Sequence, residues 1–150
     1  MTIPVVPSTR EALRTTLAST PVRRAMQLGF VECVAEADLA SVARTLADQR
    51  VHCLVVPDAG ATGVRWRLVS DQDLLRALHR GRPCATAGDI ATEHVICVAP
   101  GDSLLHAAAL MAEHGAAHVL VLSPATDRPV GIVSSLDLAT VVSELAAITA

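Results

Sequence analysis

The apolar positions along this chain change period at regular intervals. Across "DLASVARTLADQ", Leu39, Val42, Ala43 and Leu46 recur at i, i+3, i+4 and i+7, the spacing of one helical face. On either side, "FVECV" at 30–34 and "CLVVP" at 53–57 are short apolar runs of the kind that form buried strands. The Gly-rich turn "DAGATG" leads into a second strand over 64–70, and a helix is predicted from Ser70 to a stop at Gly81. The unit therefore reads strand, helix, strand, strand, helix. The second half repeats that order, with "VICV" as strand, "DSLLHAAALMAEHG" as helix, "HVLVLS" as strand, the turn "PATDRP", then "VGIVS" and a last helix. Ser134 follows Ser70 by 64 residues and Asp137 follows Asp73 by the same step, whereas Met111 follows Leu46 by 65. A one-residue difference in the loop before the first long helix accounts for the slip. A repeat only two copies deep predicts two halves that depend on each other for burial.

Ahead of the repeats, "STREALRTTLAS" opens with Ser8 and places Glu11 three residues on, a capping-box signal for a short leading helix. Thr20 and Pro21 then suit a cap and a first helical position, which marks the start of a new unit. The expected organisation is an N-terminal extension over 1–19, a first repeat over 20–81 and a second over 82–150.

The junctions that end each half carry the candidate chemistry. "WRLVSDQDLLRAL" and "GIVSSLDLATVV" both close a strand on a serine, place a carboxylate three residues later and begin a helix. Ser-x-x-Asp at that place is a helix cap contributing about 1 kcal/mol with no ligand present. The same groups suit a nucleotide, because a carboxylate accepts from both hydroxyls of a ribose while the first helix amides and the serine hydroxyl attract an anion. A Ser134, His118, Asp137 triad does not follow. There is no G-x-S-x-G elbow, and the serine opens a helix with its carboxylate on the same turn, so catalysis is not expected.

Composition narrows the classes further. With 51% apolar residues a core is readily built, and no apolar run reaches bilayer length. The opening "MTIPVVPSTR" lacks a secretion signal, which predicts a cytoplasmic location and no membrane association. A net charge of −3, with only Trp66 and Phe30 as aromatics, argues against nucleic-acid binding. All twelve basic residues are arginine, a usage that fits a GC-rich bacterial genome. Cys33, Cys53, Cys84 and Cys97 form no close pair, and the six histidines have no recognisable metal spacing. Buried thiols are expected, although Cys33 and Cys97 occupy matching places in the two halves and leave a metal- or redox-responsive reading open.

The segment "VICVAPGDSLLHAAALMAEHGAAHVLVLSPATDRPVGIVSSLDL" resembles the paired cystathionine-β-synthase-type repeats, the CBS domains that associate as a Bateman module, and the resemblance extends over about 20–145. The first repeat departs from the pattern: Arg67 stands where the second has Gly131, and Glu36 where it has Pro100. The resemblance implies an α/β fold of two pseudosymmetric CBS repeats packed as one Bateman module, in a homodimer. It implies an adenosine-containing ligand, AMP, ADP, ATP or S-adenosylmethionine, held in a cleft between the repeats as a regulatory ligand rather than a required cofactor, with a signal passed to an unidentified protein partner. Carried over by position, Ser134 and Asp137 contact ligand in one site, and Ser70 and Asp73 in its twin. His118, with Cys53 as its counterpart, lies near the cleft, and Thr92 helps frame the base. Arg67 either blocks the first cleft or supplies a phosphate partner. The competing reading is a ligand-independent interaction or stress-associated scaffold whose clefts are vestigial.

Overall fold

Local sequence signals account for most of the helix boundaries. The computed structural model describes residues 8–60 and 63–149, so Ala61 and Thr62 of the "DAGATG" turn and the first seven residues of the opening lie outside the described residues. The elements are α1 (Thr9–Ser19), β1 (Gln27–Leu28), α2 (Leu39–Gln49), β2 (Cys53–Gly60), β3 (Gly63–Ser70), α3 (Asp71–His79), α4 (Ala87–Ile90), β4 (Cys97–Val98), α5 (Leu104–His114), β5 (His118–Leu122), β6 (Pro129–Ser134) and α6 (Ser135–Thr149). The side chains of Ser8, Asp38 and Ser103 accept the free amides at the starts of α1, α2 and α5. Gly115, at φ 60°, ends α5 in the left-handed conformation that glycine adopts at low cost, and Arg50 ends α2 at φ 52°.

The chain divides into two compact units, one from the described residues of Met1–Gly29 and Ile96–Ala150, the other Phe30–Val95. In the first, the sheet order is β1-β6-β5-β4, with β4 parallel to β5 and the other pairs antiparallel. Its core joins Leu17 of α1 and Val22 to Leu104 and Met111 of α5, Val119 and Val121 of β5, and Leu138, Val141 and Leu145 of α6. Each fully buried aliphatic side chain of this kind contributes roughly 1.5–3 kcal/mol relative to exposure.

In the second unit, β2 and β3 pair antiparallel from Cys53↔Ser70 to Gly60↔Gly63. Val42 and Leu46 of α2 bury against Leu54, Val56 and Val69, so the helical face read from the sequence does point into a core. The run "FVECV" is not a strand. Only Glu32 bridges to Val55, with Cys33 N and Val55 N donating to the Val55 and Val31 carbonyls, before the turn closed by Ala37 N on Val34 O carries the chain away to α2. On the far side Thr92 N donates to Leu68 O, again a single bridge. Both units therefore follow one strand plan, and in the second its outer positions shrink to single bridges.

The units interleave the halves of the sequence. Pro21 bridges Ser103 at the start of α5, as Thr86 bridges Asp38 at the start of α2, and both members of the first pair lie 65 residues from their counterparts in the second. The segment around residues 20–29 thus packs with the second half's elements, and that around 85–95 with the first half's. Thr20 also differs from expectation. It is buried and ends α1, its hydroxyl donating to Thr16 O at 2.7 Å, and Pro21 precedes a single 3-10 turn over Val22–Arg24 rather than opening an α-helix.

Candidate functional site

The β6–α6 junction is a closed hydrogen-bonded loop. Asp137 Oδ2 accepts from Ser134 N at 2.7 Å and Ser134 Oγ at 2.8 Å, while Asp137 N donates to Ser134 Oγ at 3.1 Å. The other carboxylate oxygen, Oδ1, accepts from Gln27 Nε2 on β1 at 3.0 Å. His118 lies directly opposite Ser134 in the β5–β6 register, so the two side chains leave the sheet on the same face. Ser134, Asp137 and His118 are therefore brought together, with Gln27 as a fourth member.

The β3–α3 junction repeats the loop within its own unit. Asp73 Oδ2 accepts from Ser70 N at 2.9 Å and Ser70 Oγ at 3.0 Å, and Asp73 N donates to Ser70 Oγ at 3.2 Å. Cys53 stands opposite Ser70 as His118 stands opposite Ser134. The remaining carboxylate oxygen is held differently: Arg76, on the next turn of α3, pairs with Asp73 Oδ1 at 3.0 Å. A cation thus neutralises Asp73 where a neutral amide meets Asp137.

Thr92 and Arg67 both belong to this second unit. Thr92 is exposed at the edge of β3 and corresponds, 65 residues on, to Gln27. Arg67 is mostly buried, its Nη1 donating to Gly88 O at 2.8 Å. Its Nε, fully buried, lies 3.4 Å from Asp58 Oδ2, at ion-pair distance but without hydrogen-bond geometry. The guanidinium is thus engaged between Gly88 O of α4 and the Asp58 carboxylate of β2.

At the equivalent position, Gly131 faces a backbone. A Cβ placed there would lie 2.4 Å from Gln27 O, so glycine is what lets β1 lie against β6 and bring Gln27 to Asp137. Gln27 was not among the residues singled out from the sequence. The signal that could have found it was the repeat itself, since Thr92 was singled out and Gln27 occupies its counterpart.

The four cysteines are free thiols; Cys33 and Cys53 are buried, Cys84 and Cys97 exposed. Burial first, then the Asp73 and Asp71 carboxylates, pushes the Cys53 thiol up to about 12, and burial raises that of Cys33. The thiolate is the reacting species. Brief iodoacetamide treatment of the folded protein at pH 8, followed by peptide mass spectrometry, is therefore expected to label Cys84 and leave Cys53 and Cys33 unmodified. Rapid labelling of Cys53 would contradict this assignment. Among the described residues no group of three or more His, Cys, Asp or Glu side chains is placed to hold a metal ion.

Comparison with known proteins agrees with this architecture. Residues 87–144 match the family model of the CBS domain. No curated protein matches the sequence. Among solved structures, the CBS domain pair of protein MJ0100, in complex with 5′-methylthioadenosine and S-adenosyl-L-methionine, is similar at a TM-score of 0.73 and 22% identity, covering 83% of this chain and 97% of that one. The CBS domain of a CBS-domain-containing membrane protein from Sphaerobacter thermophilus aligns at a TM-score of 0.68 and 24% identity, over 87% and 93%. Hypoxic Response Protein I, with two coordinated zinc ions, gives a TM-score of 0.64 and 26% identity over 81% and 98%.

Proposed function

Because residues 87–144 are a CBS domain and the chain has the fold of a CBS-domain pair, we propose that this protein is a regulatory module that binds an adenosine-containing ligand at the β6–α6 junction. One observation carries the reading: the Asp137 carboxylate sits at a strand-to-helix turn with one oxygen consumed by the cap and the other met, among the described residues, by a single neutral amide. A ribose diol needs such an acceptor, and the first amides of α6 suit a phosphate or other anionic group. In this reading Asp137 holds the ribose, Ser134 keeps the cap of α6 whose first amides hold the anion, and His118 lies beside them. The complex of MJ0100 with two adenosine compounds supports the ligand class, AMP, ADP, ATP or S-adenosylmethionine.

The twin junction, Ser70 and Asp73 with Thr92 and Arg67, forms a second and weaker site. Arg76 already neutralises Asp73, and Arg67 must leave Gly88 O to meet a phosphate. The protein acts by binding rather than catalysis, as a cytoplasmic homodimer, with neither nucleic acid nor membrane as partner. No helix among the described residues is long and apolar enough to cross a membrane. Ligand binding acts on an unidentified protein partner by favouring one conformation of the chain, which requires different ligand affinities for the two conformations.

Calorimetric titration with AMP, ADP, ATP and S-adenosylmethionine tests the proposal. The expected result is one tight site per chain and a second at least about tenfold weaker, with Arg67→Gly abolishing only the weaker. Two equal sites, or loss of the tight one in Arg67→Gly, would count against it. A scaffold that needs no ligand is the alternative, favoured by one observation: both Ser-x-x-Asp motifs are complete capping boxes as they stand. Absence of binding by every compound of the panel selects that reading.

A further inference from the structure

Asp137 lacks the acceptor capacity to take a ribose diol while it caps α6. A carboxylate offers about four lone-pair sites. Ser134 N and Ser134 Oγ fill the two on Oδ2, and Gln27 Nε2 takes one of the two on Oδ1. One site remains for two hydroxyls. The residue that occupies the third site carries the missing acceptor itself, because with its amide nitrogen fixed on Asp137 the carboxamide of Gln27 presents its oxygen on the adjoining arm.

We infer that Gln27 is a specificity-determining residue of the β6–α6 site: it and Asp137 together read a vicinal diol, one hydroxyl donating to Asp137 Oδ1 and the other to Gln27 Oε1. This rests on the proposed adenosine site and names how its sugar is recognised. The second unit supports the assignment by contrast. Thr92, at the position corresponding to Gln27, has a side chain too short to offer a carboxamide, and Asp73 Oδ1 is held by Arg76, whose guanidinium has donors only. Among the described residues, a carboxamide therefore meets the aspartate at the β6–α6 junction, and a guanidinium meets it at the β3–α3 junction. Gln27 is exposed and lies on a two-residue strand held to β6 at Ile132 and Gly131, so its side chain is placed by backbone pairing rather than by packing of its own.

The test compares Gln27→Met, which keeps length and removes both hydrogen-bonding groups, with the parent protein and with Asp137→Asn, using AMP, 2′-deoxy-AMP and 3′-deoxy-AMP. The parent is expected to bind each deoxy compound at least about tenfold more weakly than AMP. In Gln27→Met, AMP affinity should fall and discrimination against one deoxy compound should shrink to within about threefold, while the ligand-free melting temperature stays within about 2 °C of the parent, as for a surface substitution. A merely structural role would move the melting temperature and leave the discrimination intact. AMP binding that depends on Asp137 while Gln27→Met retains full discrimination overturns the inference and leaves the site standing. Failure of the parent to bind any of the three overturns the inference, and failure to bind ADP, ATP and S-adenosylmethionine as well overturns the site with it.

Discussion

Asp137→Asn is expected to lower affinity for the adenosine ligand about ten- to hundredfold while costing the fold no more than about 1 kcal/mol. The two effects separate because, in the proposed site, the two carboxylate oxygens do different jobs. The cap uses Oδ2, and an asparagine oxygen turned the same way still accepts Ser134 N. The amide then directs its nitrogen toward Gln27, whose own carboxamide can turn over and present oxygen, so the native contact is replaced rather than lost. The diol meets a donor where it needs a charged acceptor, and a hydrogen bond to a charged group is worth about 1.5–3 kcal/mol. Titration calorimetry reads the affinity and urea unfolding the stability. A variant that binds as well as the parent would remove Asp137 from the ligand site, and one that unfolds much more readily would make the cap its main role.

Gly131→Val carries the largest expected loss of stability. A Cβ at this position would stand 2.4 Å from Gln27 O and 3.4 Å from both Gln27 C and Met26 Sδ. The nearest obstacle is backbone and cannot rotate aside, so β1, which pairs with β6 through only two residues, must move. Forcing extra atoms into such a place costs about 2 kcal/mol or more, a fall in melting temperature of roughly 4–8 °C for a chain of this length. Moving β1 also draws Gln27 from Asp137, so ligand affinity should fall with stability. Arg67 at the same place in the other unit shows why the cost is specific to Gly131: there a single bridge from Thr92 to Leu68 replaces the two-residue strand, and the long side chain runs out to Gly88 O and Asp58. Thermal unfolding of Gly131→Val equal to the parent's would contradict the close approach of β1.

What the sequence shows of this protein is what depends on near neighbours. The i, i+3, i+4, i+7 face of α2, the caps at Ser8 and Ser70, and the stop of α3 just before Gly81 are all decided within a turn or two of chain, and each appears in the structure. The Ser-x-x-Asp junctions are legible for the same reason. Other features depend on segments far apart in sequence. "FVECV" has strand composition, yet only Val55 is available to it before the turn at Ala37. Thr20 is a good capping residue by type, yet its hydroxyl is spent on Thr16 O within α1. Gln27 meets a carboxylate 110 residues away, and Arg67 meets a carbonyl 21 residues away. Single-residue patterns do not reveal such pairings; for Gln27 the repeat period could have done so, through Thr92, although Gln27 was not singled out from the sequence.

The most direct test of the central claim is thermal unfolding of the nucleotide-free protein with AMP, ADP, ATP, S-adenosylmethionine and, for comparison, NAD. A ligand that binds only the folded state should stabilise it by about 2.7 kcal/mol at one hundred times its dissociation constant. The account predicts a clear upward shift for at least one adenosine ligand, and a clearly smaller shift with the same ligand at the same concentration in Asp137→Asn. Unchanged unfolding with every compound would contradict it and leave the two junctions as helix caps alone.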